Sequence, residues 1–252
     1  MYKNILMNHL QKKQVSERYI YYGRPDLALR YDNNIWDYHL MPDREMFEAD
    51  LSFIAQEQKD YPLDYANIAF PEKTELPVSW QTQLQADGFE LERLLIFTAP
   101  AVSLNLSHSA ASADIKIEQL SETTYQAYMD KHAEEYRQYG DAYYQQMTLF
   151  NQELINVPDG KLFLAVKNGQ IVGELTVWYS QYFAEIDNFM VDESLRGQGI
   201  GKRLQEEAIK TADSVILIAA EENRAMYEYQ GYQETAFYWT AFKSEDNKVK
   251  TA

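Results

Sequence analysis

Arg196, Gly197, Gln198, Gly199, Ile200 and Gly201 stand in a row late in the chain, and their types suit one kind of chemistry. Three glycines alternate inside a short turn, with Arg196 before it and Lys202 and Arg203 after it. A strand-like run, Ala184 to Val191, precedes the turn, and a helix-like run from Ile200 to Asp213 follows it. The first amides of a helix have no intrahelical acceptor, and the helix dipole puts partial positive charge there. Glycine lets the backbone approach a phosphate closely. A strand, a glycine turn and a helix start therefore form an anion site, and the expected ligand carries phosphate.

Two nucleotide-binding patterns fail at this turn. A P-loop needs an earlier glycine ahead of its Gly-Lys pair and a Ser or Thr after it. Arg196 and Arg203 occupy those positions here. A dinucleotide fingerprint needs Gly-x-Gly-x-x-Gly. Gly197 and Gly199 fit it, but Lys202 stands where the third glycine belongs. A plain tight turn before an amphipathic helix would leave three glycines that each cost helix stability.

The turn must be positioned by the elements around it. Asp114 to Leu120 alternates as a strand, and Ser121 can cap a helix running to about Tyr139. Gly140 breaks that helix, and a second one follows over Asp141 to Asn156. Asn168-Gly169, between Leu162–Lys167 and Gln170–Tyr179, is a strong hairpin signal. Beyond the turn and its helix come an apolar strand over Ser214 to Ala220, a short helix over Glu221 to Gln230, and one or two aromatic strands over Tyr232 to Lys243. Helices and strands do not strictly alternate, so the expected class is α+β, with mixed α/β layers, and not a doubly wound sheet. In the first half, Asn34–Met41, Asn67–Phe70 and Phe89–Thr98 read as strands. Asp43 caps a helix carrying Phe47, Leu51 and Ile54, and Pro77–Ala86 forms another.

The remaining pattern at the turn is Arg-x-x-Gly-x-Gly, filled by Arg196, Gly199 and Gly201. With the hairpin and Ile171-Val172-Gly173-Glu174, the Phe189-Met190-Val191 run, and Tyr227-Glu228-Tyr229-Gln230-Gly231-Tyr232, the chain resembles the GNAT superfamily of acyl-CoA-dependent N-acetyltransferases. The resemblance covers about Ile115 to Phe242 and implies a mixed, mostly antiparallel sheet. It implies that backbone amides from Gly197 to Gly201, including Gln198 and Ile200, bind the pyrophosphate of acetyl-CoA, with Arg196 adding charge. Pantetheine would pair near Met190 and Val191, where the strand before the turn splays from the next parallel strand. The acetyl group would pass directly to an amine, with Tyr227 as general acid toward the departing thiolate. Asn223 is assigned to the cofactor, although its spacing from Tyr227 departs from the common family pattern.

The resemblance also implies a base on the strand before the turn. Glu185 and Asp187 alternate with Phe189 and Val191, so strict alternation puts all four on one face. Asp187 is the first candidate and Glu185 the second; the competing reading is a solvated strand-edge charge. In this family two helices wall the acceptor, and here they carry Glu134, Glu135, Tyr136, Tyr139, Asp141, Tyr143 and Tyr144. Acid and aromatic surface suits a cationic amine, and a solvated pair of helices is the alternative.

Composition bounds the rest. The 252 residues are 46% hydrophobic, enough for a real core. A net charge of −16, from 23 basic and 39 acidic side chains, argues against nucleic acid or an anionic membrane as partner. There is no cysteine, hence no thiol nucleophile, and no apolar run reaches membrane-span length, so a cytoplasmic protein is expected. The 4 histidines, His9, His39, His108 and His132, lack metal-ligand spacing and read as structural or surface groups; no metal is expected. The small, polar run 107–113 reads as a linker between residues 1–106 and an acetyltransferase domain over 114–243, with a polar tail over 244–252. Trp80–Thr98 echoes Met226–Phe242 as helix, glycine-aromatic pair and strand. That echo suggests a degenerate half-copy in tandem, without a CoA site. The expected partner is a small-molecule or peptide amine acceptor, and a homodimer is left open. A CoA-binding sensor or scaffold without catalysis is the competing function.

Overall fold

The computed structural model describes residues 1–106 and 114–245, so the linker segment 107–113 lies outside the described residues. The first half runs α1 (Lys3–Leu6), β1 (Lys12–Val15), β2 (Tyr19–Tyr22), β3 (Trp36–Tyr38), α2 (Arg44–Glu57), β4 (Tyr65–Ala69), α3 (Val78–Ala86) and β5 (Glu90–Pro100). The second runs β6 (Lys116–Gln119), α4 (Tyr125–Gln138), α5 (Asp141–Leu154), β7 (Gly160–Lys167), β8 (Gln170–Tyr179), β9 (Phe183–Val191), α6 (Ile200–Ala208), β10 (Ser214–Ala219), α7 (Arg224–Gln230) and β11 (Gln233–Ser244).

The strands form one 11-stranded sheet in the order β1-β2-β3-β4-β11-β5-β10-β9-β8-β7-β6. Among the described residues, only β3–β4 and β9–β10 pair in parallel; every other neighbour is antiparallel. The fold is therefore mixed, open and mostly antiparallel, as the sequence implied. The hairpin forms at Asn168-Gly169, whose φ values of +51° and +80° are those a tight two-residue turn needs.

The two halves exchange their last strands. β5 of the first half lies between β10 and β11, and β11 of the second lies between β4 and β5. Each last strand thus hydrogen-bonds to the other half, and the halves share one unbroken ladder. The repeated helix, glycine and strand are visible at this centre. Gly88 (φ +87°) lies two residues past the end of α3 and Gly231 (φ +101°) caps α7, and the strands that follow pair with each other.

One face of the second half packs on α6. Leu175, Val177, Ala184, Ile186, Val215 and Leu217 of the sheet are buried against Ile200, Leu204 and Ala208. The opposite face is covered by α4 and α5, whose Tyr128, Met129, Tyr136, Tyr143 and Met147 pack on Leu162, Leu164 and Trp178. α6 stops at Ala208 instead of reaching Asp213, because the chain must turn back to begin β10 at Ser214. Ser121 does not cap α4; its own amide is taken by the Thr124 hydroxyl at 2.9 Å, and the helix begins at Tyr125.

Candidate active site

β9 and β10 pair only from Phe183 to Ile186 against Ser214 to Leu217, yet β9 continues to Val191 and β10 to Ala219. The two strands separate beyond that row. The cause is a bulge in β9. On β8 the step from Glu174 to Thr176 is matched on β9 by the longer step from Met190 to Asp187, and Asn188 inside it has φ +40°. A bulge adds one residue, bends the strand and shifts the alternation of its side chains.

That shift corrects the expected shared face. Ala184 and Ile186 pack in the α6 core, so Glu185 and Asp187 point to the opposite face. After the bulge, Phe189 and Val191 turn to the α6 side, while Met190 faces the α4–α5 side. Glu185 and Asp187 therefore do not share a face with Phe189 and Val191.

The glycine turn closes beside this gap. Gly197 (φ +77°) and Gly199 (φ +81°) hold left-handed conformations, and Gly199 is the residue from which α6 starts. Gly201 serves a different purpose: a Cβ there would lie 2.7 Å from the Phe189 ring. The first turn of α6 thus lies directly against β9, its amides beside the strand's free end. Ile200 is buried and anchors the turn, while Arg196 is exposed and its Nε donates to the Val191 carbonyl at 3.2 Å. Gly201→Val should cost roughly 1–3 kcal/mol as overpacking and push the first turn off β9. If the turn holds the phosphate of the acetyl-CoA that the resemblance implies, thermal melts should show a folded variant that acetyl-CoA stabilises far less than the native protein; equal stabilisation of the two would separate this turn from the ligand.

Tyr227 lies on the α6 side of the sheet. Its ring centroid is 5.7 Å from Phe97 and 5.6 Å from Tyr232. Phe97 pairs with Leu217, which pairs with Ile186, so Tyr227 covers the last row before the strands part. Burial pushes its hydroxyl above the ordinary value, so it remains protonated near neutrality. Asn223 is exposed in the 3₁₀ turn before α7.

The α4–α5 side opens on a cavity of about 840 Å³. Asp187, Asn188 and Met190 reach it from β9, and Glu174 and Thr176 from β8. Asp187 accepts from Trp178 Nε1 at 3.2 Å and from the Asn188 amide at 2.8 Å. Of the residues expected to wall an acceptor, Glu135, Tyr136, Tyr139 and Tyr143 line this cavity; Glu134, Asp141 and Tyr144 do not. The facing wall belongs to the first half, through Arg30, Asp32, Asn67, Glu90 and Glu92. Sequence reasoning assigned no site role to any of these five.

Glu185 goes elsewhere. It lines a separate cavity of about 300 Å³, with its Oε2 3.5 Å from His9 Nδ1. His9 stacks on Trp178 at 4.2 Å. Burial raises the Glu185 carboxyl well above the usual range, with the nearby Asp187 adding to the rise, and burial lowers His9 to about 4. Both shifts favour the neutral forms, and Glu185 lies outside the large cavity, so it is a poor base.

A pair unassigned at the sequence level does face the large cavity. His132 Nε2 is 2.8 Å from Glu174 Oε2, and Glu174 is 2% exposed. A carboxylate inside the apolar run from Ile171 to Trp178 was the visible signal for it. His132 is thus not merely a core histidine.

In the first half, the same two places are filled by the protein itself. α2 starts after a parallel-paired strand, as α6 does, but its cap is Asp43, whose carboxylate accepts from the Met46 amide at 2.8 Å. β3 and β4 pair at only two rows, ending at Asp37 and Ala69. Immediately beyond, the Lys3 ammonium lies between the strands, donating to the Tyr38 carbonyl at 3.2 Å, the Phe70 carbonyl at 2.7 Å and the Asp37 carboxylate.

Two family models match this chain: a domain of unknown function (DUF5613) over residues 1–97, and the acetyltransferase (GNAT) domain over residues 158–234. Among solved structures, a functionally unknown conserved protein from Staphylococcus epidermidis is 24% identical, with 96% of this chain and 97% of that one covered and a TM-score of 0.82. A GCN5-related N-acetyltransferase from Kribbella flavida is 14% identical, with coverages of 92% and 90% and a TM-score of 0.58. A tandem GNAT protein from the clavulanic acid biosynthesis pathway is 11% identical, with coverages of 86% and 76% and a TM-score of 0.54. At these identities the likeness is one of fold, and it extends over both halves. A comparison with curated proteins found no match.

Proposed function

From a chain whose C-terminal half carries a GNAT acetyltransferase domain, we propose an N-acetyltransferase that moves an acetyl group from acetyl-CoA to a primary amine. The observation that carries this reading is the gap between β9 and β10, opening beside the glycine turn on one face and the large cavity on the other. Pyrophosphate fits the amides of Gly197 to Gly201, and pantetheine fits the unpaired edge of β9 at Met190 and Val191. The thioester then reaches through the sheet toward the α4–α5 cavity. Amine nitrogen attacks its carbonyl, and Tyr227, covering the row where the strands part, supplies a proton to the thiolate. Asn223, exposed before α7, is the weakest of the cofactor contacts.

On β9, Asp187 is the carboxylate that meets the acceptor nitrogen. The acceptor is a cationic amine, because Asp32, Glu90, Glu92, Glu135, Glu174 and Asp187 outnumber Arg30 and His132 around the cavity, and tyrosines line its wall. We read residues 1–106 as a degenerate copy of the same fold. Its own phosphate and pantetheine places are occupied by Asp43 and Lys3, and its remaining work is to close the acceptor cavity.

Thermal stabilisation by acetyl-CoA, followed by free-thiol release across a panel of primary amines, tests the reading. Stabilisation and amine-dependent release are expected. Stabilisation without release on any amine would favour a CoA-binding sensor, and no stabilisation would overturn both.

A further inference from the structure

Resting on that acetyl-transfer reading, we infer that His132 receives the proton of the acceptor amine, and that Glu174 is the positioning residue behind it. An ammonium must lose a proton before its nitrogen can attack. An ordinary carboxylate, near 4, is a weak acceptor for a proton held by an amine near 10; an imidazole is closer to both the amine and neutral pH. Asp187 already accepts one hydrogen bond on each oxygen, from Trp178 and from the Asn188 amide. With both oxygens engaged, it serves to hold a cation in place.

His132 has the geometry of an oriented base. Its side chain is buried in α4 and lines the large cavity. Nε2 faces Glu174 at 2.8 Å, and Nδ1 lies 3.3 Å from Glu135 Oε2, whose side chain is 54% exposed. Glu174 is in turn fixed by Tyr128 Oη at 3.4 Å and Asn188 Nδ2 at 3.3 Å. The buried carboxylate therefore sets the imidazole's tautomer and ties it to the β9 bulge, where the strands begin to part.

The step balances. The ammonium N–H bond breaks and its proton goes to Nδ1 of neutral His132, while the Nε2 proton remains donated to Glu174. The freed lone pair forms the C–N bond at the thioester carbonyl, the C–S bond breaks, and the thiolate takes the Tyr227 hydroxyl proton; the nitrogen then sheds its second proton, which passes through water to the Tyr227 phenolate and leaves a neutral amide. The imidazolium then releases its proton past Glu135 to water.

His132 touches Tyr128, Glu135 and Tyr136 of α4 and Glu174 of β8, and shares the cavity with Tyr139 of α4, Tyr143 of α5 and Asp187 of β9. Arg30, Asp32, Glu90 and Glu92 stand on the first-half wall of the cavity. Burial pulls the imidazole down, but the hydrogen bond and charge of Glu174, followed by those of Glu135, raise it by more, so it titrates above its ordinary 6.5. A base must be neutral, so kcat/KM rises with pH as His132 loses its proton, and that limb lies higher than an unperturbed histidine would give.

Histidine NMR titration of the full chain tests this, with His132→Gln assigning the resonance. It is paired with pH profiles of thiol release from acetyl-CoA, using spermidine as the amine probe. His132 is expected to titrate above 6.5 in the native protein. In Glu174→Gln, where burial acts with less opposition, it should titrate lower, and the acid limb of kcat/KM should follow it. Glu135→Gln, an exposed change that keeps the fold, should move both in the same direction by less, and it carries the test if Glu174→Gln fails to fold. A native His132 titrating at or below 6.5 would overturn the inference. So would a limb that survives in His132→Gln and disappears in Asp187→Asn. Turnover with an unmoved limb rejects this inference alone, whereas no thiol release with any amine rejects the acetyl-transfer reading and this step with it.

Discussion

Lys3→Met should destabilise the protein by about 3–5 kcal/mol, the usual cost of leaving half of a buried ion pair behind. Lys3 and Asp37 are both fully buried, and the ammonium also satisfies the carbonyls of Tyr38 and Phe70. Methionine fills a similar volume but donates no hydrogen bond. It therefore leaves two strand-end carbonyls without a donor and the buried Asp37 carboxyl with only His39, 3.5 Å away. Denaturant unfolding should show a large drop in midpoint. Lys3→Met with Asp37→Leu should recover much of the loss, since replacing both partners removes the stranded charge. Equal destabilisation by the single and double variants would mean that the ammonium holds the strands apart chiefly through the two carbonyls. The same residue occupies the gap beyond the paired rows of β3 and β4, the place that the proposed reading leaves open to pantetheine between β9 and β10.

Tyr227→Phe should lower kcat by about a hundredfold or more while leaving the fold and acetyl-CoA affinity nearly unchanged. The ring packs on Phe97 and Tyr232, and phenylalanine preserves those contacts. Only the hydroxyl is lost, so the effect should fall on departure of the thiolate. The pH profile has a definite sign. A general acid must be protonated, so kcat falls as pH rises through its pKa. Burial raises Tyr227, which puts that fall beyond the ordinary tyrosine value of 10.0. Steady-state kinetics with a fixed amine, together with acetyl-CoA binding, would check both parts. A variant with normal kcat would return Tyr227 to the core.

The features legible in the sequence are those whose signal is local. Asn168-Gly169 fixes a hairpin because two adjacent positive φ angles suit few other pairs. Gly197, Gly199 and Gly201 were separable from ordinary turn residues because three successive constraints met in one segment. Asp43 capped its helix as its type predicts.

Features that depend on distant residues were not legible. Alternation failed at Asn188, where no glycine or proline marks the bulge, and this sent Glu185 and Asp187 to the opposite face. Strand exchange between β5 and β11 joins residues far apart in the chain, so no local pattern distinguishes it from two separate sheets. His132 and Glu174 meet across two elements, and each alone reads as a core or surface residue. The N-terminal segment has no clear period, yet Lys3 is among the most deeply buried residues in the molecule. The cleft's far wall was illegible for the same reason: it belongs to the other half.

The proposed chemistry requires one CoA site per chain, between β9 and β10 under the glycine turn. Titration calorimetry of the full protein with CoA measures it directly. One site per chain, with heat lost in Gly201→Val, is the predicted result. Two sites, or no binding to the native protein, would rule out a single CoA site formed by the second half.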